Sequence, residues 1–286
     1  MRQAEKVDLG SDDWTMEIRP YASAFHFPIK ELWEYRDLLF LFVRRDFKTM
    51  YKQTILGPAW ILLSPLLTTG MFSLIFGRIA GISTDGTPAF LFYMAGNILW
   101  NYFSSCLSAA SSTFIGNAGL FGKVYFPNSP ASSAVSKLIT FGAQFLLFLI
   151  LLFCSLGSGQ VRITWLCLMT PVLLVMLALL AIGTGMILAS LTAKYRDLQV
   201  LVGFGVQLWM YASPIVYPLS QIPGKWRILL SLNPVAYIVE CFRYGWLGSG
   251  IVSIPNLMIG LGIILLILFV GTVMFNKTQR NFMDTV

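Results

Sequence analysis

Six segments of this chain are apolar over lengths that can cross a lipid bilayer, and they constrain its fold more than any other feature. They lie near residues 59–79, 89–112, 131–157, 165–191, 199–217 and 256–276. A helix needs about 20 mostly apolar residues to cross a hydrocarbon core of roughly 30 Å. Since backbone polar groups must be paired inside lipid, such spans are helical. The sequence therefore predicts an all-α integral membrane protein with six transmembrane helices, in a transmembrane domain over 58–286.

The composition agrees with a membrane protein. Hydrophobic residues make up 56% of the chain and charged residues 12%, with a mean hydropathy of +0.72. A soluble domain carries about a quarter charged residues. The net charge of +7 does not indicate a nucleic-acid partner, because the positive residues lie beside the apolar segments, as topology determinants do.

Residues 29–57 predict a basic amphipathic helix that leads into the first span. Apolar side chains share one face at helical spacing, and charged side chains, including Arg44 and Arg45, share the other. A helix of this kind lies in the plane of the lipid headgroups. Pro58 suits the first turn of the next helix. Residues 1–28 form a polar N-terminal segment without the apolar core of a cleavable signal peptide.

The distribution of Lys and Arg predicts the orientation. Basic residues cluster before the first span, between the second and third, between the fourth and fifth, and after the sixth. Such residues favour the cytoplasmic side. Both termini are therefore expected in the cytoplasm, as are the segments around Lys123 and Arg196.

The 218–255 connection is long and still apolar. It contains two amphipathic pieces, near 223–232 and 234–247, and each begins at a proline. Apolar helices that are too short to cross the bilayer are typical of re-entrant or interfacial segments. An ordinary extracellular loop is the alternative, and the apolar content argues against it.

The sequence offers no catalytic, cofactor or metal site. His26 is the sole histidine, and a metal site needs several ligands. The segment 116–124 resembles a phosphate-binding loop but has five residues between its glycines and Val124 after the lysine, where the motif needs four residues and Ser or Thr. If ATP drives this protein, the nucleotide binds to another chain.

The polar groups expected inside the spans are neutral, and no buried carboxylate is expected at mid-span, which argues against a proton-coupled transporter. Span two carries a stripe of amides and hydroxyls: Asn97, Asn101, Ser104, Ser105, Ser108, Ser111 and Ser112. Such a stripe can pack helices together or line a polar path, and both readings stay open. In span five, Trp209 and Tyr211 favour a path. Small residues are expected to pack helices at Gly183, Gly185, Ala189, Gly203 and Gly205.

Five segments in order resemble the transmembrane subunit of ABC-2 type polysaccharide exporters, and the O-antigen permeases most closely. They are ELWEYRDLLFLFVRRDFKTMYKQTILGPAW (31–60), LFGKVYFPNSP (120–130), KYRDLQ (194–199), SPIVYPLSQIP (213–223) and LNPVAYIVECFR (232–243). The chain departs from the family pattern at Asn128-Ser129, where a basic residue is expected.

The resemblance implies a homodimer bound to two ATPase subunits that carry ATP and Mg²⁺, exporting a lipid-linked polysaccharide across the bacterial inner membrane. It implies ATPase-coupling residues (Arg44, Arg45, Lys123, Tyr195, Arg196 and Asp197) and an outer gate (Pro214, Pro218, Pro223, Asn233 and Pro234). For such a substrate, the aromatic and neutral polar side chains of spans two and five predict a translocation path (Asn101, Ser105, Trp209, Tyr211 and Tyr217). For Arg196 and Asp197, the alternative roles are a topology anchor and a helix N-cap.

Three other functions stay open at this point. They are a capsule or teichoic-acid exporter subunit, an ABC-2 drug pump, and a membrane-embedded transferase. A transferase needs a reactive carboxylate or histidine near the membrane surface. Glu240 is the candidate, and Arg243, three residues later, can simply pair with it.

Overall fold

A computed structural model describes residues 56–113, 130–157, 159–195 and 197–283. In these ranges every regular element is helical, and none is a strand. The segments 1–28 and 29–55, Lys123 and Arg196 fall outside the described residues. The predicted N-terminal segment and most of the amphipathic helix therefore stay predictions.

The first three helices follow the predicted spans closely. Helix α1 (Trp60–Phe72) opens with a 3-10 turn at Gly57–Ala59 and continues as a π-helical segment at Ser73–Ile79. Pro58 lies in the opening turn, as predicted. Helix α2 is Ala89–Ser111 and helix α3 is Pro130–Leu156.

The second half holds one long helix at each end and shorter pieces between them. A 3-10 turn at Trp165–Met169 leads into α4 (Thr170–Lys194), which is followed by α5 (Leu198–Tyr211). After a 3-10 turn at Leu219–Gln221 come α6 (Gly224–Ser231), α7 (Pro234–Leu247) and α8 (Ile254–Met283). The two short helices predicted near 223–232 and 234–247 are confirmed as helices.

Four helical stretches are long and apolar enough to cross a membrane: Gly57–Ile79, Ala134–Leu156, Trp165–Lys194 and Ile254–Gln279. Helix α2 has a sufficient length of 23 residues, but its asparagines and serines lower its hydropathy. It is largely enclosed, because it packs against α1, α3, α4, α5 and α7. Protein rather than lipid therefore covers most of its surface.

The predicted span 199–217 is wrong in its C-terminal part, because α5 ends at Tyr211. A helix of 14 residues rises about 21 Å, less than a hydrocarbon core of roughly 30 Å. Pro214 explains the end of the helix, since proline lacks an N–H and disfavours helical geometry at the preceding residue, Ser213. The Ser213 hydroxyl instead donates a hydrogen bond to the Trp209 carbonyl at 2.9 Å.

Small residues set the closest helix contacts. A Cβ at Gly183 would lie 2.9 Å from the Leu268 backbone in α8, and one at Gly185 would overlap the Ala110 side chain in α2. The predicted packing roles of Gly183 and Gly185 are confirmed, and Ala189 is fully buried.

The packing prediction for the two glycines of α5 is wrong within this chain. A Cβ at Gly203 or Gly205 would meet no atom within 4 Å. The reason is that α5 packs against α2 and α4 along only part of its surface and has no buried residue.

Candidate functional site

A cavity of about 710 Å³ lies between the end of α5, the short helix α6, the start of α7 and the middle of α8. Its lining is mainly apolar, with three aromatic side chains and one amide: Trp209, Tyr217, Trp226 and Asn233. We call it the aromatic cavity. It has no charged lining residue, so it offers ring faces and an amide rather than fixed charges.

Asn233 ties the walls of the aromatic cavity together. Its Oδ1 accepts hydrogen bonds from the Trp209 indole at 3.3 Å and from the Val235 backbone N–H at 3.2 Å, so it caps α7. Its Nδ2 donates to the Ser213 hydroxyl at 2.9 Å and to the Ala212 carbonyl at 3.3 Å. Because one amide joins α5 to α7, these two helix ends are held at a fixed separation.

Trp209 is the central ring of this site. Its indole meets the Phe103 ring of α2 edge-on, with centroids 5.0 Å apart at 85°. It also borders a second, apolar groove of about 390 Å³ between α2, α4 and α5. Trp209 therefore separates two spaces along α5, and its N–H bond to Asn233 fixes the ring between them.

A buried ion pair anchors the segment that follows α5. Glu240 and Arg243 of α7 are both fully buried, with Arg243 Nη1 and Glu240 Oε1 3.4 Å apart. Arg243 also donates to the Pro214 carbonyl at 2.6 Å and the Ile215 carbonyl at 2.7 Å. Its guanidinium carbon stands 3.7 Å from the centre of the Phe92 ring. The pairing predicted for these two residues is confirmed.

Glu240 completes this anchor from the other side. Its two carboxylate oxygens accept hydrogen bonds from the backbone N–H groups of Leu219 at 3.3 Å and Ile251 at 3.0 Å. The carboxylate is thus occupied by two amides and a guanidinium. This arrangement argues against the transferase hypothesis, since a reactive carboxylate must be accessible.

The spacing of Glu240 and Arg243 predicts the ion pair but not its contacts with the backbone of residues 214–219. Two of the predicted gate prolines, Pro214 and Pro218, are buried beside it, whereas Pro223 is exposed. Pro234 is buried in the first turn of α7 and lines the aromatic cavity.

The structure brings together only some of the predicted path residues. Trp209 and Tyr217 line the aromatic cavity, and the Tyr217 hydroxyl donates to the Tyr211 carbonyl at 3.2 Å. The Tyr211 side chain is 47% exposed and does not line that cavity. Asn101 and Ser105 lie on α2 and do not line it either. The predicted set is therefore not one continuous surface within this chain.

The polar stripe of α2 divides into two parts. Asn97 packs against α1, where its amide donates to the Pro65 carbonyl and the Thr69 hydroxyl, both at 3.4 Å. Four serines further along α2 instead line a cavity of about 420 Å³ with Lys137 of α3: Ser104, Ser105, Ser108 and Ser112. We call it the serine–lysine cavity.

The prediction that polar groups inside the spans are neutral is therefore wrong. Lys137 lies within the predicted span 131–157 and is half-buried. The mean hydropathy of this span does not reveal Lys137, because a single lysine hardly lowers the hydropathy of a long apolar segment. The available signal was the lysine itself, since a charge within a span indicates a functional position.

The predicted coupling residues that the structure describes lie at one short turn. Tyr195 and Asp197 are exposed between α4 and α5, and Lys194 Nζ stands 5.2 Å from the Tyr195 ring centre. Asp197 occupies the N-cap position of α5, but its side chain makes no capping hydrogen bond.

The long apolar helices and the cavities between them define an integral membrane protein. The chain belongs to the ABC-2 type transporter family, whose profile matches residues 37–247. The resemblance drawn from its sequence segments is thereby confirmed.

Two similar proteins are O-antigen export system permease proteins named RfbA. The one from Myxococcus xanthus is 27% identical over 262 residues, which cover 90% of this chain and 98% of the relative. One from Klebsiella pneumoniae is 28% identical over 254 residues, covering 87% and 94%. The chain is also similar to the polysialic acid transport protein KpsM of Escherichia coli, at 26% identity over 262 residues, covering 85% and 93%.

Proposed function

We propose that this protein is the transmembrane subunit of an ATP-driven exporter that moves a lipid-linked polysaccharide of the O-antigen type across the bacterial inner membrane. The observation that carries this proposal is the similarity to O-antigen export permeases along nearly the whole chain. In this account the protein is a permease rather than an enzyme, and ATP is hydrolysed by a partner subunit that holds ATP and Mg²⁺.

The chemistry of the aromatic cavity supports a sugar path. Aromatic faces stack on the C–H groups of sugar rings, and neutral amides bond to hydroxyls, so a polymer can slide without being held by charges. Trp209, Tyr217, Trp226 and Asn233 supply such groups. In the proposed orientation, with both termini cytoplasmic, this cavity lies toward the outer side, where the exported chain leaves.

We infer that two copies of the chain form the working permease. Several side chains of α5 are more than half exposed and apolar, among them Val200, Phe204 and Leu208. A second copy or lipid must cover this face, and a continuous path for a wide polymer is better formed between two copies. The proposed topology has six spans per copy, in which the fifth is completed by the non-helical residues that follow α5, and α6 and α7 are re-entrant.

The anchored segment 213–223 supports an outer-gate role. Arg243 and Glu240 bind its backbone at Pro214, Ile215 and Leu219. A segment fixed in this way to α7 is expected to move with α7 as one body. Opening of the gate would then be a shift of this body rather than a loosening of the loop.

A deletion strain tests the proposed function. Loss of this gene should abolish the surface polysaccharide and cause lipid-linked polymer to accumulate inside the cell, and a plasmid copy should restore export. Sugar analysis of the accumulated polymer distinguishes an O-antigen from a capsular polymer, which the similarity to KpsM makes the second candidate. Unchanged surface polysaccharide in the deletion strain would contradict the proposal.

A further inference from the structure

The serine–lysine cavity places one positive charge beside a row of hydroxyls. Ser104, Ser108 and Ser112 follow one another at one-turn spacing along α2 and its C-cap, Ser105 adjoins Ser104, and Lys137 of α3 completes the lining. Side chains at this spacing are neighbours on one helix face, about 5–6 Å apart. Apart from Ala109, every lining residue carries a hydroxyl or an ammonium group, whereas the other two cavities described above have mainly apolar linings.

Lys137 has no anionic partner among the described residues. The ion pair found in the described part of the chain joins Glu240 to Arg243 on α7, and no carboxylate lines this cavity. A positive charge within a predicted span is costly unless something compensates it. An anion from outside the described residues would therefore compensate the charge of Lys137 in this cavity.

The hydroxyls suit an oxyanion. Ser104 and Ser112 donate to backbone carbonyls of their own helix, at 3.3 Å and 3.1 Å. Ser105 and Ser108 make no side-chain hydrogen bond within the described residues, so their hydroxyls can donate elsewhere. An ammonium with two free hydroxyl donors matches the acceptor oxygens of a phosphate, and charge-assisted hydrogen bonds of this kind are strong.

The position of the cavity indicates a lipid. Lys137 stands seven residues after Pro130, the first residue of α3, which corresponds to about 10 Å along the helix. This depth suits a phosphate held near the headgroup region. In the proposed orientation it is the cytoplasmic side, where a lipid-linked substrate enters.

We propose that the serine–lysine cavity binds the phosphate group of a lipid, with Lys137 as the counter-charge and Ser105 and Ser108 as hydrogen-bond donors. Two lipids carry this chemistry: the anchor of the export substrate and an anionic phospholipid of the membrane. Assigning the site to the export substrate rests on the proposed function, whereas lipid-phosphate binding itself does not.

The alternative is that Lys137 is a topology anchor whose side chain reaches the headgroups without a defined site. Lys277 near the C-terminal end of α8 is the matched control, because it is exposed and lies near a helix end on the same proposed side. A general effect of positive charge would be the same at both positions. Binding of phosphate at a defined site would depend on Lys137 and on Ser105 and Ser108.

Binding to the purified full-length chain in neutral detergent tests this proposal. The probes are a polyprenyl pyrophosphate, phosphatidylglycerol and, as a phosphate-free control, the polyprenol. We expect Lys137→Gln and the double variant Ser105→Ala/Ser108→Ala to bind the phosphate probes at least about tenfold more weakly, which is the loss of one charge-assisted bond. Lys137→Arg should retain binding, and Lys277→Gln should match the unmodified chain.

A loss with polyprenyl pyrophosphate alone assigns the site to a substrate anchor, and an equal loss with phosphatidylglycerol assigns it to lipid phosphates in general. Unchanged binding by Lys137→Gln, or an equal loss in Lys277→Gln, would overturn the proposal. Melting temperatures measured beside each titration identify a variant that fails to fold, and if Lys137→Gln does so, the double variant Ser105→Ala/Ser108→Ala carries the comparison. If the Lys137→Gln strain exports normally and the purified Lys137→Gln variant binds the phosphate probes normally, the site is rejected while the proposed function stays intact.

Discussion

At the scale of single residues, Trp209 is the position where helix packing and the proposed sugar path meet. Its ring contacts Phe103, bonds to Asn233 and borders two cavities. A residue of this kind contributes to stability and also shapes the space beside it. Variants at Trp209 and at its neighbours can separate the two contributions.

The first prediction concerns the aromatic cavity. Trp209→Ala should lower polysaccharide export several-fold, because it removes the ring face between the two cavities. Trp209→Phe should retain more export, since an aromatic ring remains. Tyr211→Ala is the control, as its side chain lies outside the cavity, and it should export normally. Surface polysaccharide is measured beside protein level; full export by Trp209→Ala at normal level would remove it from the path.

The second prediction concerns the buried ion pair. Arg243→Met should destabilise the protein by about 3–5 kcal/mol, because Glu240 would keep a buried charge without its partner. The double variant Glu240→Gln/Arg243→Met removes both charges and should recover part of that loss. Melting temperatures of the purified chain measure both effects.

Labelling of a Cys introduced at Gln221 reports on the anchored segment in the same variants. Labelling should become faster in Arg243→Met, because the carbonyls of Pro214 and Ile215 lose their donor. A melting temperature and a labelling rate equal to those of the unmodified chain would show that the pair does not anchor this segment.

At the scale of helices, apolar length predicted five of the six spans well, because a mostly apolar stretch of about 20 residues leaves little alternative to a helix. The predicted end of the fifth span was wrong, because the prolines after Tyr211 and the carbonyls bound by Arg243 outweigh apolar composition there. Hydropathy also could not reveal which helix is central. The polar residues of α2 keep it out of the set of helices apolar enough to cross a membrane, and they are compatible with its enclosure by other helices.

The site was predictable only in part for a related reason. Trp209, Asn233 and Tyr217 stand out in the sequence as polar or aromatic residues near prolines. Two contacts depend on helix rotation and on the approach of distant segments. Asn233 joins Trp209 to α7, and Lys137 faces the serines of α2. Single-helix periodicity carries no information about either.

The third prediction concerns the contact between α2 and α4. Gly185→Ala should destabilise the protein by about 1–3 kcal/mol, since the added methyl overlaps Ala110 and the helices must separate. Gly262→Ala in α8 is the control, because its Cβ would meet nothing within 4 Å, and it should be neutral or slightly stabilising. Equal melting temperatures for the two variants would contradict the close α2–α4 contact.

The fourth prediction concerns the turn between α4 and α5. A short connection transmits movement to the helices, whereas a long one would absorb it. Charge reversal by Arg196→Glu or Asp197→Lys should therefore reduce export while the protein remains inserted at normal level. Asp197→Asn tests the charge with little change in shape. Normal export by both reversed variants would exclude a coupling role for this turn.

At the scale of the whole molecule, the proposed function makes this chain a permease whose energy comes from another subunit. The chain supplies long apolar helices, a segment anchored by the ion pair, and a cavity lined by rings and an amide. In the proposed function, ATP hydrolysis is supplied by a partner ATPase. Transport should therefore require both proteins together, and the purified chain alone should hydrolyse no ATP.

Transport into inverted membrane vesicles tests this central claim most directly. Vesicles that hold this protein and its ATPase are given a lipid-linked polysaccharide on their outer, cytoplasmic face, and the fraction protected from an added glycosidase is measured. The account predicts that ATP and Mg²⁺ raise the protected fraction, and that this rise is lost without either protein. Equal protection without ATP, or without this chain, would contradict it.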